Sequence, residues 1–342
     1  MAPMDAPTAI VGDGQMGLVL ADALAARGRA SRLWGRSAVA IEALAATRQS
    51  PRRLPGFRLP DSVEVTCVAA ALFEEVGLIV NAVPTQHIRA VWTAMAAAVP
   101  PGVPVVSVSK GIENETLLRP TQVIAEVTGD DPLDPARSLV ALSGPTIAAE
   151  LAEHKPATMV AACNDERVAM LTQELFATDW LRIYRHHDLV GVEVAGALKN
   201  VIALAAGMVD GLDLGANAKS ALLARGLAEI ARFGVAVGAT IDTFFGIAGV
   251  GDLATTCFSP HGRNRSCGER LGRGDSLESI LETTASVVEG VPTTRSVMRM
   301  AGQRGVDMPI TSAVHEILFD GLSPRDAITS LMQREPKAES IR

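Results

Sequence analysis

The chain has 342 residues, of which 48% are hydrophobic, and its formal net charge is −7. This length allows about two domains with substantial hydrophobic cores. The negative charge and the lack of any block of about five basic residues argue against a nucleic-acid-binding protein and against one held on a membrane surface. The composition therefore favours a globular protein of two domains.

The N-terminal stretch MAPMDAPTAIVG has no positively charged segment followed by an apolar stretch and a small-residue cleavage site. This favours a cytoplasmic location over export. No apolar run reaches the roughly 18 residues that a membrane span needs, so we expect no membrane-spanning helix. The four cysteines are dispersed and form no CxxC pair, which predicts free thiols and no metal site.

Arginine supplies most of the positive charge, because only five of the 31 basic residues are lysines. Lysine can lose its proton near neutral pH when its surroundings lower its pKa, whereas arginine effectively cannot. Each retained lysine is therefore a candidate for proton chemistry. The five are Lys110, Lys155, Lys199, Lys219 and Lys337.

The first half begins with TAIVGDGQMGLVLADALAARG, in which a short β-type run leads through Gly12-x-Gly14-x-x-Gly17 into a helix. This order of strand, glycine turn and helix is the context that the dinucleotide-binding fingerprint requires. Gly12 allows the tight turn, Gly14 lets the backbone approach a pyrophosphate, and Gly17 lets helix and strand pack closely. The motif predicts a bound NAD or NADP.

The next strand, SRLWGR, ends at Arg36, where NAD-preferring folds place an acidic residue. A guanidinium there can hold a 2′-phosphate, which favours NADPH, although a solvated loop arginine is the alternative. Further β-type runs at 63–66, 78–83, 103–108 and 139–142 alternate with helical stretches. This alternation predicts a doubly wound parallel sheet of Rossmann type.

From residue 188 onward the pattern becomes helical, with predicted helices near 188–209, 217–238, 294–304 and 323–333. We therefore predict a dinucleotide-binding domain over 1–187 and an all-helical substrate domain over 188–342. In the first helix, GALKNVIALAAGM sets Lys199 and Asn200 on one face with small residues such as Gly207. Such a face suits close approach by another helix or by a ligand. A packed lysine that extends to solvent is the alternative for Lys199.

Six motifs carry a resemblance through nearly the whole chain: SKGIE, SGPTIAAELA, GALKN, GANAKSALLARGLAE, GVGDLATTC and HGRNRSCG. In this order they resemble the NAD(P)-dependent glycerol-3-phosphate dehydrogenases. The resemblance implies reversible hydride transfer between glycerol 3-phosphate and dihydroxyacetone phosphate, a step that supplies glycerophospholipid synthesis. It also implies a Rossmann domain followed by a helical domain, and a homodimer.

The resemblance further implies roles for individual residues. Lys199 corresponds to the general base, in a catalytic set that comprises Lys199, Lys110, Asp252, Asn200 and Thr256. The substrate-binding set comprises Lys110, Gly144, Thr146, Asp252, Gly262, Arg263 and Asn264. The cofactor-binding set comprises Gly12, Gly14, Gln15, Met16, Gly17, Arg36, Lys110, Ala148, Arg263 and Glu289.

The chemistry fits these residue types. A free lysine has a pKa of about 10.4 and is a poor base at neutral pH. Desolvation and a second cation both lower that pKa. The apolar face around Lys199 would supply the first effect, and Lys110 or Arg263 the second, while Asp252 would orient the ammonium. Arg263 and Asn264 would offer fixed donors to a substrate phosphate.

Some positions depart from the family pattern. Gln15, Met16 and Leu18 replace a small polar residue, an aromatic residue and a threonine in the fingerprint, and Arg53 replaces an aromatic residue before LPG. A related 6-phosphogluconate or hydroxyacid dehydrogenase is one alternative function. A dinucleotide-binding paralogue without activity, acting as a sensor or scaffold, is another.

Overall fold

The computed structural model describes residues 6–284, 287–336 and 338–339. These residues form two units. One comprises the described residues up to Ser109 together with Pro120–Leu189, and the other comprises Lys110–Arg119 together with the described residues from Val190 onward. The predicted division at 187/188 differs from these units in two respects: the boundary lies at 189/190, and the segment Lys110–Arg119 groups with the helical half.

The first unit is built on a sheet with the strand order β3-β2-β1-β4-β5-β6-β7-β8. Strands β1 to β6 are parallel neighbours, β7 runs antiparallel to β6, and β8 is parallel to β7. The strands are β1 (Thr8–Val11), β2 (Ser31–Trp34), β3 (Val63–Thr66), β4 (Leu78–Asn81), β5 (Val105–Ser107), β6 (Leu139–Ser143), β7 (Ala157–Ala162) and β8 (Leu181–His186). The predicted Rossmann-type sheet is confirmed for β1 to β6.

Helices alternate with these strands. They are α1 (Gln15–Ala26), α2 (Ala38–Thr47), α3 (Ala69–Leu72), α4 (Ile88–Met95), α5 (Pro120–Val127), α6 (Ala148–Ala152) and α7 (Glu166–Phe176). All residues of β1 and β4 are buried, as expected for central parallel strands that are covered on both faces. Side-chain caps start two of the helices, since Ser37 accepts from the Ala40 amide and Asp165 from the Arg167 amide.

Sequence analysis did not predict β7 and β8. The first, ATMVAA, is rich in alanine, which has a low strand propensity, and it lies beside β6 in the antiparallel direction. The second, LRIYRH, buries Leu181 and Ile183 but exposes Arg182 and Tyr184, as a strand at the end of a sheet does. Sheet pairing therefore decides a conformation that composition alone does not favour.

The second unit is helical, as predicted. Its helices are α8 (Leu189–Gly211), α9 (Gly215–Ala236), α10 (Asp252–Phe258), α11 (Arg263–Gly272), α12 (Leu277–Thr283), α13 (Gly290–Arg304), α14 (Pro309–Phe319) and α15 (Pro324–Met332). A 3₁₀ turn at Ile241–Phe245 and a π-helical turn at Ile247–Gly251 precede α10. The segment RNRSCG of the HGRNRSCG motif forms the first part of α11, a helix that is not among those predicted from the sequence.

Close backbone packing between α8 and α11 explains the small residues on the face of α8. A Cβ added to Gly207 would stand 1.9 Å from the carbonyl oxygen of Arg265, and one added to Gly268 would stand 1.9 Å from that of Leu204. No side chain fits at such distances, so both positions require glycine. Of the two occupants expected for this face, the structure places another helix against Gly207.

The helix α8 is also long and apolar enough to cross a membrane by length and composition, and it is the one such helix in the described part of the chain. Its apolar residues are nevertheless interrupted by Glu193, Lys199 and Asp210, so no uninterrupted apolar run in α8 reaches about 18 residues. In addition, 89% of its most apolar stretch is buried within the protein, as in the core helix of a globular unit. The core of the second unit is built around α8, with Val201, Ala203 and Leu204 fully buried.

All four cysteines lie in the described residues and none forms a disulfide. Cys67 is exposed, whereas Cys163, Cys257 and Cys267 are buried. Burial raises the pKa of the Cys257 thiol to about 12, so this thiol stays protonated at neutral pH.

Candidate active site

The glycine turn between β1 and α1 has the geometry that the fingerprint predicts. Gly12 has a φ of +122°, and a Cβ there would stand 2.9 Å from the carbonyl oxygen of Ala82. A Cβ at Gly17 would stand 2.0 Å from the carbonyl oxygen of Gly12, which shows how closely helix and turn approach. Both glycines are therefore fixed by the backbone fold itself.

Gly14 has a different environment, because a Cβ added there would meet no described heavy atom within 4 Å beyond its own neighbours in the chain. It is the N-cap of α1, and no described side chain caps this helix. The first amides of α1 therefore lack a side-chain cap, and the positive end of the helix dipole lies behind them. This arrangement fits a pyrophosphate, so the residues present fit a bound NAD or NADP.

The end of β2 lies beside the glycine turn. The amide of Gly12 donates to the carbonyl oxygen of Trp34 at 2.9 Å, and Arg36 follows two residues later with an exposed side chain. Asp13, which sequence analysis did not select, lies against Gly35, since a Cβ there would stand 2.9 Å from its Cγ. The exposed Arg36 and the Asp13 carboxylate thus lie near the glycine turn. Asp13 could have been selected from the sequence because it lies inside the fingerprint.

Two of the predicted cofactor residues have other contacts. The side-chain amide of Gln15 donates to the carbonyl oxygen of Arg53 at 2.8 Å, so it holds the loop before the LPG sequence against the start of α1. Met16 is partly buried and packs against the core of the first unit. The side chains of Gln15 and Met16 thus pack the start of α1 against its surroundings in the first unit.

Gly144, Thr146 and Ala148 follow β6 and belong to the first unit. Gly144 has a φ of +153°, and a Cβ there would stand 2.6 Å from the carbonyl oxygen of Thr158 in β7. The Thr146 hydroxyl donates to the carbonyl oxygen of Gly144 at 3.1 Å. Ala148 begins α6 and is buried. Sheet packing alone therefore accounts for the glycine at position 144.

The second unit brings most of the predicted catalytic residues together around one carboxylate. Asp252 accepts from Lys199 Nζ at 2.5 Å through Oδ1 and from Lys110 Nζ at 2.6 Å through Oδ2. Asp252 is 1% exposed and Lys199 is 6% exposed, while the Lys110 side chain is 19% exposed. Two ammonium groups thus share one buried carboxylate.

The short helix α10 positions this carboxylate. Asp252 is its first residue, where the helix dipole stabilises a negative charge. Thr256 lies one turn later on the same face, and its hydroxyl donates to the carbonyl oxygen of Asp252 at 2.7 Å. The same hydroxyl accepts from Lys199 Nζ at 2.6 Å. Asp252 and Thr256 therefore hold the Lys199 ammonium from two sides.

Lys199 has a strongly altered acidity. Burial lowers its pKa to about 7, the Lys110 ammonium acts in the same direction, and the Asp252 carboxylate opposes both. A group with this pKa exchanges its proton near neutral pH, which is the property of a general acid–base catalyst. The hypothesis that Lys199 is a packed lysine extending to solvent disagrees with its 6% exposure.

A chain of amide hydrogen bonds links three helices behind this cluster. Asn200 Nδ2 donates to the carbonyl oxygen of Lys110 at 3.4 Å, and Asn264 Nδ2 donates to Asn200 Oδ1 at 2.9 Å. Asn264 Oδ1 in turn accepts from the Gly290 amide at 2.9 Å. The chain joins α8, α11 and α13, so Asn200 and Asn264 tie the elements of the site to one another.

The remaining predicted residues of this unit lie at the first turns of α11 and α13. Gly262 is the N-cap of α11, no described side chain caps this helix, and Arg263 begins it. Arg263 Nη1 donates to the carbonyl oxygen of Val287 at 3.0 Å, and Glu289, the N-cap of α13, exerts an attraction on this guanidinium. A helix start with an exposed arginine is suited to an anion.

Comparisons with known proteins identify the family to which this chain belongs. A family model described as the NAD-dependent glycerol-3-phosphate dehydrogenase N-terminus matches residues 7–169, and the model of the C-terminus matches residues 188–329.

Individual relatives match over nearly their full length. The chain is 45% identical to glycerol-3-phosphate dehydrogenase (NAD(P)+) 2 of Salinibacter ruber over 336 residues, which cover 98% of this chain and 97% of the relative. It is 44% identical to glycerol-3-phosphate dehydrogenase (NAD(P)+) 2 of Mycobacterium bovis, over 99% of this chain and all of the relative. The crystal structure of glycerol-3-phosphate dehydrogenase from Coxiella burnetii is similar with a TM-score of 0.91 and 32% identity, over 97% of this chain and 100% of that one. The chain belongs to the NAD-dependent glycerol-3-phosphate dehydrogenase family.

Proposed function

We propose that the chain interconverts glycerol 3-phosphate and dihydroxyacetone phosphate with NAD(P) as the hydride carrier. The observation that carries the proposal is the buried Lys199–Asp252–Lys110 cluster in a chain of this family. The names of the full-length relatives support the reaction and the cofactor class. The product would feed glycerophospholipid synthesis, as the family resemblance implies.

Lys199 is the acid–base in this proposal. When bound, the nicotinamide accepts or donates the hydride. In the oxidation of glycerol 3-phosphate, the neutral Lys199 amine takes the proton of the secondary hydroxyl. In the reduction of dihydroxyacetone phosphate, the Lys199 ammonium returns that proton to the developing alkoxide. Because the pKa is about 7, both protonation states are populated at neutral pH.

Asp252, Thr256 and Lys110 prepare Lys199 for this role. Asp252 and Thr256 orient Nζ with bonds of 2.5 and 2.6 Å. The Lys110 ammonium lowers the pKa of Lys199, and we propose that its partly exposed side chain also contacts a substrate oxygen. The α11 start, with Arg263, is proposed to bind the substrate phosphate, because a guanidinium forms forked bonds to phosphate oxygens.

The cofactor preference is a finer proposal. Arg36 is exposed beside the glycine turn, which supports pairing with a 2′-phosphate and hence a preference for NADPH. A homodimer and a cytoplasmic location, both expected from the sequence, complete the proposal. Light scattering of the purified chain, together with size-exclusion chromatography, measures its oligomeric state and so tests the homodimer.

Reduction of dihydroxyacetone phosphate, assayed with NADH and NADPH side by side, tests the function. We expect turnover with phosphorylated triose and far less with unphosphorylated dihydroxyacetone. Cofactor binding without turnover would instead favour the sensor or scaffold. Turnover on 6-phosphogluconate or a hydroxyacid in place of the triose would favour the related dehydrogenase.

A further inference from the structure

The segment Lys110–Arg119, called the Lys110 segment below, leaves the first unit after Ser109 and groups with the helical unit until Pro120. It contains no regular helix or strand of its own. The lysine that contacts Asp252 is its first residue. The position of the Lys110 ammonium therefore depends on what fastens this irregular segment to the helices.

Helix α13 fastens the segment close to Lys110. The hydroxyl of Ser296 lies 2.6 Å from Oδ1 of Asn114 and 3.0 Å from the carbonyl oxygen of Ile112, so its single proton is shared by two acceptors of the segment. Arg299, one turn further along α13, donates to the carbonyl oxygen of Asn114 at 3.1 Å. Ser296 is 0% exposed, whereas Arg299 is exposed.

Helix α8 fastens the two ends of the same segment. Asn200 donates to the carbonyl oxygen of Lys110, and the buried Glu193 forms an ion pair with Arg119. Between these ends, Ile112 is fully buried in the core of the helical unit. The hydrogen bond from Ser296 to the carbonyl oxygen of Ile112 thus attaches the segment to α13 at a point only two residues from Lys110 along the chain.

We propose that Ser296 is a positioning residue for the hydride-transfer reaction, which acts by fixing the Lys110 ammonium on Asp252. This inference rests on the proposed function. Without the Ser296 hydroxyl, the buried carbonyl oxygen of Ile112 and the half-buried amide oxygen of Asn114 lose their hydrogen bond to α13, and the segment relaxes away from that helix. Lys110 then leaves Oδ2 of Asp252 for part of the time, and the carboxylate interacts more strongly with Lys199.

The consequence is a change in the acidity of Lys199. Because the Lys110 ammonium lowers the pKa of Lys199 and Asp252 raises it, loosening Lys110 moves the pKa upward. A merely structural role for Ser296 would reduce the folded fraction or the melting temperature without this change. The direction of the pKa change therefore separates positioning from general support of the fold.

Lysine-selective NMR measures this directly. With only five lysines in the chain, ¹³Cε-lysine labelling gives five signals, which single Lys-to-Arg variants assign. In Ser296→Ala, we expect the apparent pKa of Lys199 to rise by about 0.5 to 1. The acid limb of the pH profile for glycerol 3-phosphate oxidation should move upward by the same amount. The NMR titration needs no turnover, so it decides the inference even if the chain acts on another substrate.

Two further variants complete the test. Thr311→Val removes a buried hydroxyl that binds Glu229 and does not touch the Lys110 segment, so it should lower stability and leave the pKa of Lys199 unchanged. Arg299→Met removes the bond to Asn114 from the exposed face of α13, and it should raise the pKa in the same direction by a smaller amount.

Arg299→Met also decides the inference if Ser296→Ala does not fold. An unchanged Lys199 pKa in a folded Ser296→Ala variant would overturn the proposal. If Ser296→Ala does not fold, an unchanged Lys199 pKa in Arg299→Met would overturn it. An equal rise in Thr311→Val would overturn it as well.

Discussion

The ammonium of Lys199 lies 2.5 Å from one carboxylate oxygen of Asp252, and the other oxygen of that carboxylate is 2.6 Å from Lys110. A single buried anion thus faces two cations. Burial is the main reason that the pKa of Lys199 falls to about 7; the Asp252 carboxylate opposes this fall, and the Lys110 ammonium adds to it.

The pH dependence should have opposite signs in the two directions of the reaction. Oxidation needs the neutral amine, so kcat/KM for glycerol 3-phosphate should rise as the pH passes through about 7. Reduction needs the ammonium, so kcat/KM for dihydroxyacetone phosphate should fall over the same interval. The phosphates of both substrates titrate near pH 6 in the same sense, so they cannot produce opposite slopes. A midpoint near 10, as for an ordinary lysine, would contradict the assignment.

Arg36 should read the 2′-phosphate of NADPH. In Arg36→Asp we expect KM for NADPH to rise about tenfold or more, because a forked, charge-assisted contact contributes about 1.5–3 kcal/mol. KM for NADH should change much less. Arg27→Asp, on an exposed arginine at the far end of α1, is the matched control for the change in net charge. Equal losses with both cofactors would show that Arg36 does not contact the 2′-phosphate.

Arg263 should hold the substrate phosphate. The substitution Arg263→Lys keeps the charge but removes the forked donor set, so KM for dihydroxyacetone phosphate should rise while KM for NADPH changes less. Steady-state kinetics with phosphorylated and unphosphorylated triose measure the effect. If the variant discriminates between these two substrates as strongly as the parent, Arg263 does not bind the phosphate.

The packing of α8 against α11 should tolerate no side chain at Gly268. In Gly268→Ala the new methyl would stand 1.9 Å from the carbonyl oxygen of Leu204, and we expect a loss of about 1–3 kcal/mol in the free energy of unfolding. Gly302→Ala is the matched control, because a Cβ in that exposed part of α13 would meet no described atom within 4 Å outside the nearby backbone of its own helix. It should stabilise the helix by about 0.5–1 kcal/mol. Urea unfolding compares the two, and equal effects would refute the close packing.

The sequence predicted much of the fold because apolar runs and glycines carry strong local signals. The fingerprint predicted the turn around Gly12 and Gly17, and buried β-type runs predicted β1 and β4. Strand β7 was not predicted because its alanines have a low strand propensity, and only the pairing with β6 places them in the sheet. Helix α11 was not predicted because its sequence is polar and rich in glycine. The sequence alone does not show that these glycines pack against α8.

The candidate site divides in the same way. The contact between Lys199 and Asp252 was expected from the motifs, whereas the hydrogen bond between Lys199 and Thr256 is visible only in the fold. The grouping of Lys110 with the helical unit could not be predicted, because the residue directly follows a strand of the sheet. Its anchors on α13 lie more than 180 positions away in sequence.

The central claim is that Lys199 exchanges the proton of the reacting hydroxyl. The most direct measurement is kcat for Lys199→Arg and Lys199→Met at neutral pH, with cofactor binding measured separately by fluorescence titration. Arg keeps the charge and Met keeps most of the apolar stem, but neither exchanges a proton near pH 7. We predict that both variants bind the cofactor and lose about 10²–10⁴-fold in turnover. Turnover within a few-fold of the parent, in either folded and cofactor-binding variant, would contradict the account.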